Sequence, residues 1–150
     1  MIILVHMIFG AAIGSIVKTP ILAVFLAFLG HYFLDLFPHI EYNIANIRNK
    51  NWRKSLSDIL KVILDFLCGA ATIFIFSKNQ PIIYLGAFVA LIPDTLTLIS
   101  SVFPNKILAM HDKIHTQKIH FLRHKKIPNF WRITTQVLAV IISIFLLKYL

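Results

Sequence analysis

Long apolar runs constrain this chain more than any other feature of its sequence. A helix needs about 20 apolar residues to cross a bilayer, and lipid offers no partner for an unpaired backbone amide. Polar or proline-containing segments separate five runs near that length, which cover residues 1–17, 20–38, 56–76, 81–103 and 130–150. The pattern predicts an all-α, polytopic membrane protein in which residues 1–150 form one membrane-embedded domain with about five transmembrane helices.

The composition also favours a membrane protein. Hydrophobic residues make up 58% of the chain, which is more than a soluble domain of 150 residues can bury. The net charge of +9 would suit nucleic-acid binding in a soluble protein, but the basic residues lie mostly between the apolar runs. There they orient the helices and contact anionic headgroups. We therefore expect membrane lipids, including anionic ones, as partners, and no nucleic acid.

The basic residues are distributed unevenly between the two sides of the predicted bundle. With five crossings, the polar segments 39–54 and 104–129 lie on the same side as the N-terminus, and they hold ten of the 15 Lys and Arg residues. The opposite side has only Lys18, Lys78 and Lys148. The positive-inside rule then places the N-terminus in the cytoplasm and the C-terminus outside, in a prokaryotic inner membrane.

The second polar segment has the pattern of an amphipathic helix. A helical projection of residues 107–126 gathers apolar side chains on one face, which predicts an interfacial helix lying on the membrane. His111 and His115 fall on the apolar face, whereas His120 and His124 fall on the solvated face. Only the first pair is therefore expected to point at the helical bundle.

Three side chains of the metal-ligand type stand four residues apart at the end of the second run. His31, Asp35 and His39 share one helical face. Ionisable groups at membrane depth are unfavourable, and where they occur they usually serve a pathway, an ion pair or a binding site. This strip is the first indication of a functional site.

The other runs place ionisable groups at the same depth. At a rise of about 1.5 Å per residue, the deep groups of the first four runs fall roughly 10 Å from the cytoplasmic boundary. These groups are His6, His31, Asp65 and Asp94. The interfacial helix brings His111 and His115 to the same level. Pro93 should loosen the helix beside Asp94 and free a carbonyl group that can face the site.

Together these residues form a candidate metal site. Imidazole and carboxylate groups bind Zn²⁺, Mn²⁺ or Fe²⁺, and bound cations would compensate carboxylates at membrane depth. The set has room for one or two divalent ions, with zinc as the first choice, and Asp35 or Asp94 could also act as the catalytic base. The candidate ligands are His6, His31, Asp35, His39, Asp65, Asp94, His111 and His115.

Single members of the set also have simpler explanations. His6 could form an interhelical hydrogen bond, as histidines in membrane helices do. Asp65 could pair with Lys61 one turn earlier, and Asp94 could cap the helical segment around Pro93. These explanations do not account for the shared depth of the whole set, so a metal site is the stronger prediction.

Several short motifs follow one another in the order found in a known family. They are His6 with Gly10-Ala11-Ala12-Ile13-Gly14, His31-x-x-x-Asp35-x-x-Pro38-His39, Gly86 through Leu91-Ile92-Pro93-Asp94, and a later His-x-x-x-His. In this order they resemble the small bacterial and archaeal inner-membrane proteins described as metal-dependent hydrolases, which include the LexA-binding, inner-membrane-associated hydrolase group. The resemblance covers most of the chain and implies a membrane-embedded His/Asp metal centre with hydrolytic activity.

The last motif departs from that family. The family motif resembles His-Arg-x-x-Thr-His-Ser, whereas this chain has neither the Arg nor the Thr and Ser at the corresponding positions. The helical projection favours His111 with His115, and the family spacing favours His115 with His120. The identity of the last ligand therefore stays open between His111 and His120.

These features predict a metal-dependent hydrolase that opens at the cytoplasmic interface and acts on a lipid-like phosphoester or ester. Arg48, Lys61 and Lys113 are candidates for holding an anionic headgroup. The alternatives are a non-enzymatic metal-binding or metal- or ion-transporting membrane protein, and a small membrane scaffold. The scarcity of ionisable groups in the extracellular halves argues against transport. A homodimer is compatible with so small a bundle.

Overall fold

Helices joined by loops make up the described residues, which are 2–103, 105–123 and 125–150 in this computed structural model. These residues contain no strand, so the predicted all-α class is confirmed. The α-helices are α1 (Ile3–Ile16), α2 (Pro20–Asp35), α3 (Ala45–Arg48), α4 (Leu56–Phe76), α5 (Pro81–Val89), α6 (Ile92–Val102), α7 (Lys106–Ile114) and α8 (Asn129–Tyr149). A 3₁₀ turn (Trp52–Lys54) precedes α4, and a π-helical turn (His115–Ile119) continues α7.

Two helices are long and apolar enough to cross a membrane, and a bent pair forms a third candidate. α4 and α8 have 21 residues each. α5 and α6 qualify together as one span that is bent by 41° at a short break. α1 and α2, with 14 and 16 residues, are apolar but shorter than a perpendicular crossing requires. The structure thus supports two or three spans among the described residues, and the five crossings stay a prediction.

The break between α5 and α6 follows from the sequence at Pro93. Proline has no backbone N–H, and its ring clashes with the carbonyl four residues earlier, so α5 ends at Val89 and a new helix begins at Ile92. The carbonyl oxygen of Ala90, within the break, lies 2.7 Å from His31 Nδ1. A carbonyl group within the break, three residues before Pro93, therefore faces the site.

Helix α1 lies at the centre of the bundle, where it contacts α2, α4, α5 and α8. Small residues allow a close approach to α5: a Cβ atom added at Gly10 would collide with the carbonyl oxygen of Gly86, and one added at Gly86 would collide with that of Gly10. Such small-residue contacts let two helical backbones approach closely within a membrane. We call this contact the glycine seam. His6 lies one turn before Gly10 on α1, and its ring stacks on that of His31 in α2.

The predicted interfacial helix over 107–126 is shorter in the structure. The α-helix ends at Ile114, and the π-helical turn ends at Ile119. The apolar face of α7 is open to its surroundings, since Ile107 is 73% exposed and Met110 is 60% exposed. An exposed apolar helix face suits contact with lipid.

Candidate metal centre

Buried histidines and carboxylates gather where the C-terminal half of α2 meets the α5–α6 break and the π-helical turn. His31 and Asp35 of α2 have no exposed surface, and His115 is almost as deeply buried. His39 and His120 come from the segments after α2 and after the π-helical turn, and both are buried. Burial of this many polar groups is tolerated only where they bond to one another or to an ion.

Two overlapping sets of side chains have ligand atoms close enough to share a metal ion. The first ligand group is His31, Asp35, Asp94 and His115, and the second ligand group is Asp35, His39 and His120. Asp35 belongs to both. The sequence therefore predicted correctly that His31, Asp35, His39, Asp94 and His115 lie together, and all of them were proposed ligands.

The first ligand group contains a nearly equilateral triangle of ligand atoms. Asp35 Oδ2 lies 3.1 Å from His31 Nε2 and 3.1 Å from His115 Nε2, and the two nitrogens are 3.2 Å apart. Asp94 Oδ1 lies 3.7 Å from His31 Nε2. A tetrahedral ion with bonds of about 2.0–2.1 Å, as Zn²⁺ has with imidazole, separates its ligands by roughly 3.3–3.4 Å. The triangle therefore has the dimensions of one face of a metal coordination sphere.

The position of the hydrogen on the His31 ring shows why a cation fits between His31 Nε2 and the carboxylate of Asp35. Its Nδ1 lies 2.7 Å from the Ala90 carbonyl oxygen, which can only accept, so Nδ1 carries the hydrogen. A neutral His31 ring then directs the lone pair of Nε2 at the carboxylate of Asp35. Two lone pairs at 3.1 Å repel each other unless a proton or a metal ion lies between them. A histidine that donates one N–H to a backbone carbonyl and turns its other nitrogen to an ion is the usual arrangement in metal sites.

His39 repeats this arrangement in the second ligand group. Its Nδ1 donates to the carbonyl oxygen of Phe37 at 2.7 Å, which leaves Nε2 to face the cluster. Around that nitrogen a second triangle forms: His39 Nε2 lies 3.1 Å from Glu41 Oε1 and 3.2 Å from His120 Nδ1, and the last two atoms are 3.0 Å apart. Glu41, which the sequence did not suggest as a ligand, therefore stands at ligand distance.

His120 joins the two ligand groups through its two ring nitrogens. While Nδ1 faces His39 and Glu41, Nε2 lies 3.1 Å from Asp35 Oδ2 and 3.2 Å from His115 Nε2. The expectation that His120 lies on a solvated face is wrong. Of the two open pairings for the last motif, the structure brings His115 and His120 to Asp35.

The π-helical turn is the physical reason why His120 faces the cluster and not the solvent. In an α-helix, a residue five positions later points about 140° away, which is how the projection separated His115 from His120. Here the backbone N–H of His120 bonds to the carbonyl of His115 at 3.1 Å, five residues back. The wider turn brings both imidazoles to one side, and such π-turns are frequent at functional sites.

The segment after α2 is held against the cluster by α8. Arg132 Nη1 donates to the carbonyl of His39 at 3.0 Å, and Gln136 Nε2 donates to that of Ile40 at 2.9 Å. Arg132 Nη2 also donates to the carbonyls of Arg123 and Lys125, at 3.3 and 3.1 Å. Helix α8 therefore fixes both the chain that carries His39 and the chain that follows His120.

His6 is the predicted ligand with the most unusual surroundings. It has no exposed surface, and neither ring nitrogen has a hydrogen-bond partner within the described part of the chain. Its ring stacks on that of His31 at 3.9 Å, and its Nε2 lies 3.3 Å from Asp35 Oδ1. His6 adjoins the cluster but belongs to neither ligand group.

Two other predicted ligands lie elsewhere. Asp65 Oδ2 accepts the backbone N–H of Leu4 at 3.3 Å, and its carboxylate also bonds to Tyr42. Leu4 stands in the first turn of α1, where backbone N–H groups have no partner within the helix, so a carboxylate is stabilised there instead. His111 Nε2 lies 2.9 Å from the hydroxyl oxygen of Tyr32, outside both ligand groups. His124 lies outside the described residues.

The carboxylates of the cluster favour a cation at its edge. Burial lowers the pKa of His120, but hydrogen bonds to Asp35 and Glu41 outweigh it and raise that pKa to about 9. Burial raises the pKa of Glu41, but hydrogen bonds to His120 and His39 hold it well below its usual range. The site thus attracts positive charge, either as protons or as metal.

A pocket of about 410 Å³ opens beside the cluster. Asp94, His115 and His120 line it, so both ligand groups reach its wall. Arg48 and Arg123 also line it, whereas Lys61 pairs with Asp58 at 3.7 Å. An ion in the cluster would therefore face a space large enough for a small molecule.

No protein-family model, curated protein or solved structure was found to match this chain.

Proposed function

We propose that this protein is a membrane-embedded, metal-dependent hydrolase that acts on a lipid-like phosphoester or ester. The observation that carries the proposal is the contact between the two ligand groups and the pocket. Structural metal sites are closed by protein ligands, whereas catalytic sites keep one position open to substrate. Here Asp94, His115 and His120 belong to the ligand groups and also form the pocket wall.

The residues divide the chemistry among them. A divalent ion held by the two ligand groups, with zinc as the first choice, would supply an acidified water and would polarise the oxygen of the scissile group. Asp35 is buried and belongs to both groups, so its carboxylate holds the surrounding histidines in position. Asp94 is partly exposed to the pocket, so its carboxylate is placed to take a proton from water as a general base. Ala90 and Phe37 fix the tautomers of His31 and His39 through their carbonyls.

The proposal includes a membrane topology. Five crossings, with α1 and α2 tilted or short and α5 with α6 as one bent span, place the cluster near the cytoplasmic surface of a prokaryotic inner membrane. The basic segments on either side of α3 and around α7 then face the cytoplasm. The resemblance to the inner-membrane hydrolase group supports the same location and reaction class.

Metal analysis of the purified protein tests this proposal. We expect one or two equivalents of a divalent transition metal in the wild type, and loss of it in His31→Ala and Asp35→Ala. His111→Ala is the matched control, because His111 bonds to Tyr32 outside both ligand groups and its removal should leave the metal content unchanged. Full metal content in the first two variants would contradict a metal site at this position.

Activity separates the hydrolase from the alternatives. The metal-loaded protein should hydrolyse a member of a panel of lipid phosphoesters and carboxylic esters, and Asp94→Asn should lower that activity by a larger factor than it lowers the metal content. Metal binding without hydrolysis of any ester would favour a structural clamp. Metal flux into liposomes would favour a transporter, and a protein without metal would favour a scaffold.

A further inference from the structure

We propose that Arg48 and Arg123 bind the phosphate group of a membrane lipid whose apolar part occupies the same pocket. This inference rests on the proposed hydrolase function and names its substrate class. It starts from the pocket lining, which combines ligand-group residues, two guanidinium groups and an apolar wall.

The two arginines are available to a ligand to different degrees. Arg123 Nη2 lies 3.2 Å from Glu41 Oε2, so part of its hydrogen-bonding capacity is used next to the second ligand group. Arg48 Nη2 lies 3.9 Å from Asp112 Oδ1, which is beyond hydrogen-bonding distance. A guanidinium carries five N–H donors in a planar fork that matches phosphate. Arg48 is therefore the main candidate for the phosphate contact, and Arg123 is the second.

The charges around the pocket favour an anion over a neutral ester. Among the lining residues, Glu41 and Asp94 offset the charges of Arg48 and Arg123. One divalent ion in the cluster would add two positive charges, of which buried Asp35 would offset one. The loaded pocket would then hold excess positive charge, which attracts a phosphate group but not a neutral carboxylic ester.

The apolar wall indicates what the phosphate is attached to. Ile3, Val62, Leu91 and Leu98 line the pocket and come from α1, α4, the α5–α6 break and α6. Their neighbours Ile63 and Ile99 are exposed on the outside of the bundle, where lipid would lie. The pocket volume of about 410 Å³ exceeds the needs of a phosphate group and leaves room for a glycerol unit and the first methylene groups. A lipid phosphate fits this combination better than a free phosphate.

Equilibrium binding to the protein in detergent micelles tests the inference, with calorimetry as the readout. Three probes separate the contributions of the phosphate group and of the acyl chains to the affinity. Dioctanoyl phosphatidate carries both, glycerol 3-phosphate has no acyl chains, and dioctanoylglycerol has no phosphate. We expect the phosphatidate to bind most tightly. Glycerol 3-phosphate binding as tightly as phosphatidate, or dioctanoylglycerol doing so, would overturn the proposal of a lipid phosphate.

Arginine variants locate the phosphate contact. Arg48→Gln should weaken phosphatidate binding about tenfold or more, because it removes a charge-assisted hydrogen bond to the phosphate. Arg123→Gln should weaken the binding less. Arg53→Gln removes an exposed arginine of the same polar segment that does not line the pocket, and it should leave the affinity unchanged. Equal weakening by Arg48→Gln and Arg53→Gln would show a nonspecific charge effect and overturn the assignment. Circular dichroism and metal content confirm that each variant is folded.

The binding and hydrolysis results distinguish this inference from the proposed function. Tight phosphatidate binding that depends on Arg48, without hydrolysis of any ester, would support the phosphate site and contradict the hydrolase. Hydrolysis of a neutral ester that Arg48→Gln leaves intact would support the hydrolase and contradict the phosphate site.

Discussion

The glycine seam and the cluster formed by the two ligand groups lie about one helical turn apart in the same bundle and are stabilised in different ways. In the seam, Gly10 and Gly86 let two backbones touch, and buried Ile8 and Ile83 pack beside them. In the cluster, polar side chains replace apolar ones, and Asp35 is contacted by the surrounding imidazoles. Close packing of backbones therefore stabilises the seam, whereas electrostatic contacts between side chains stabilise the cluster. Changes in the two regions should therefore affect different measurements.

Asp35→Asn should produce the largest effect. Asp35 belongs to both ligand groups, and an amide cannot replace its negative charge between the histidines. We expect metal affinity to fall by more than about a hundredfold, because loss of a partner that only orients a ligand already costs about 10- to 100-fold. Mass spectrometry of metal content after dialysis against a chelator measures it. The seam should keep the variant helical by circular dichroism, and an unfolded variant would break the proposed division between the regions.

Gly86→Ala should affect folding instead. Its new methyl group would collide with the carbonyl of Gly10, and backbone atoms cannot move aside as a side chain can. We expect a loss of about 1–3 kcal/mol in the free energy of unfolding, measured by denaturant titration in micelles. Gly69→Ala is the matched control, because its methyl group would meet the flexible end of Met7 at 3.0 Å. Equal destabilisation by both variants would argue against a special role for the seam.

His120→Ala should have an intermediate effect on metal content. The variant removes one of the three members of the second ligand group and leaves all members of the first group in place. We expect the second group to lose its ion while the first keeps its own. The measurement is metal stoichiometry by mass spectrometry, with His111→Ala as reference. Unchanged stoichiometry in His120→Ala would contradict the two-group description.

Thr97→Val should give the smallest change. The Thr97 hydroxyl lies 2.9 Å from His115 Nδ1 and orients that ring without reaching the ligand atoms. We expect metal affinity to fall roughly tenfold, as for other partners of metal-bound histidines. Competition with a fluorescent chelator measures the affinity. Thr95→Val, two residues earlier in the same helix and bonded only to the Leu91 carbonyl among described residues, should leave the affinity unchanged. If the two variants behave alike, the Thr97 contact has no orienting role.

The parts of the site that obey regular geometry could be predicted from the sequence. His31 and Asp35 are four residues apart within one α-helix, so helical periodicity alone puts them on one face. The position of Asp94 follows from Pro93, whose missing N–H ends one helix and starts the next. These residues depend on local rules that the sequence states directly.

Other parts depend on contacts that no local rule supplies. His120 reaches Asp35 because a π-helical turn replaces an α-helical one, and Glu41 reaches His39 because α8 holds the intervening backbone through Arg132 and Gln136. Asp65 lies outside both ligand groups, and its carboxylate accepts a backbone N–H of α1 instead. The predicted depth of an ionisable group in the membrane indicated that it would be buried, but it did not indicate which neighbouring group would bond to it.

The side chain of Arg132 has a consequence for how the protein is made. Arg132 stands in α8, which follows every ligand residue along the chain, and its guanidinium holds the backbone at both His39 and Arg123. During synthesis, the histidines therefore emerge from the ribosome before the helix that arranges them. The second ligand group can assemble only after α8 has been translated, so any metal that this group binds would enter late in the biogenesis of the molecule.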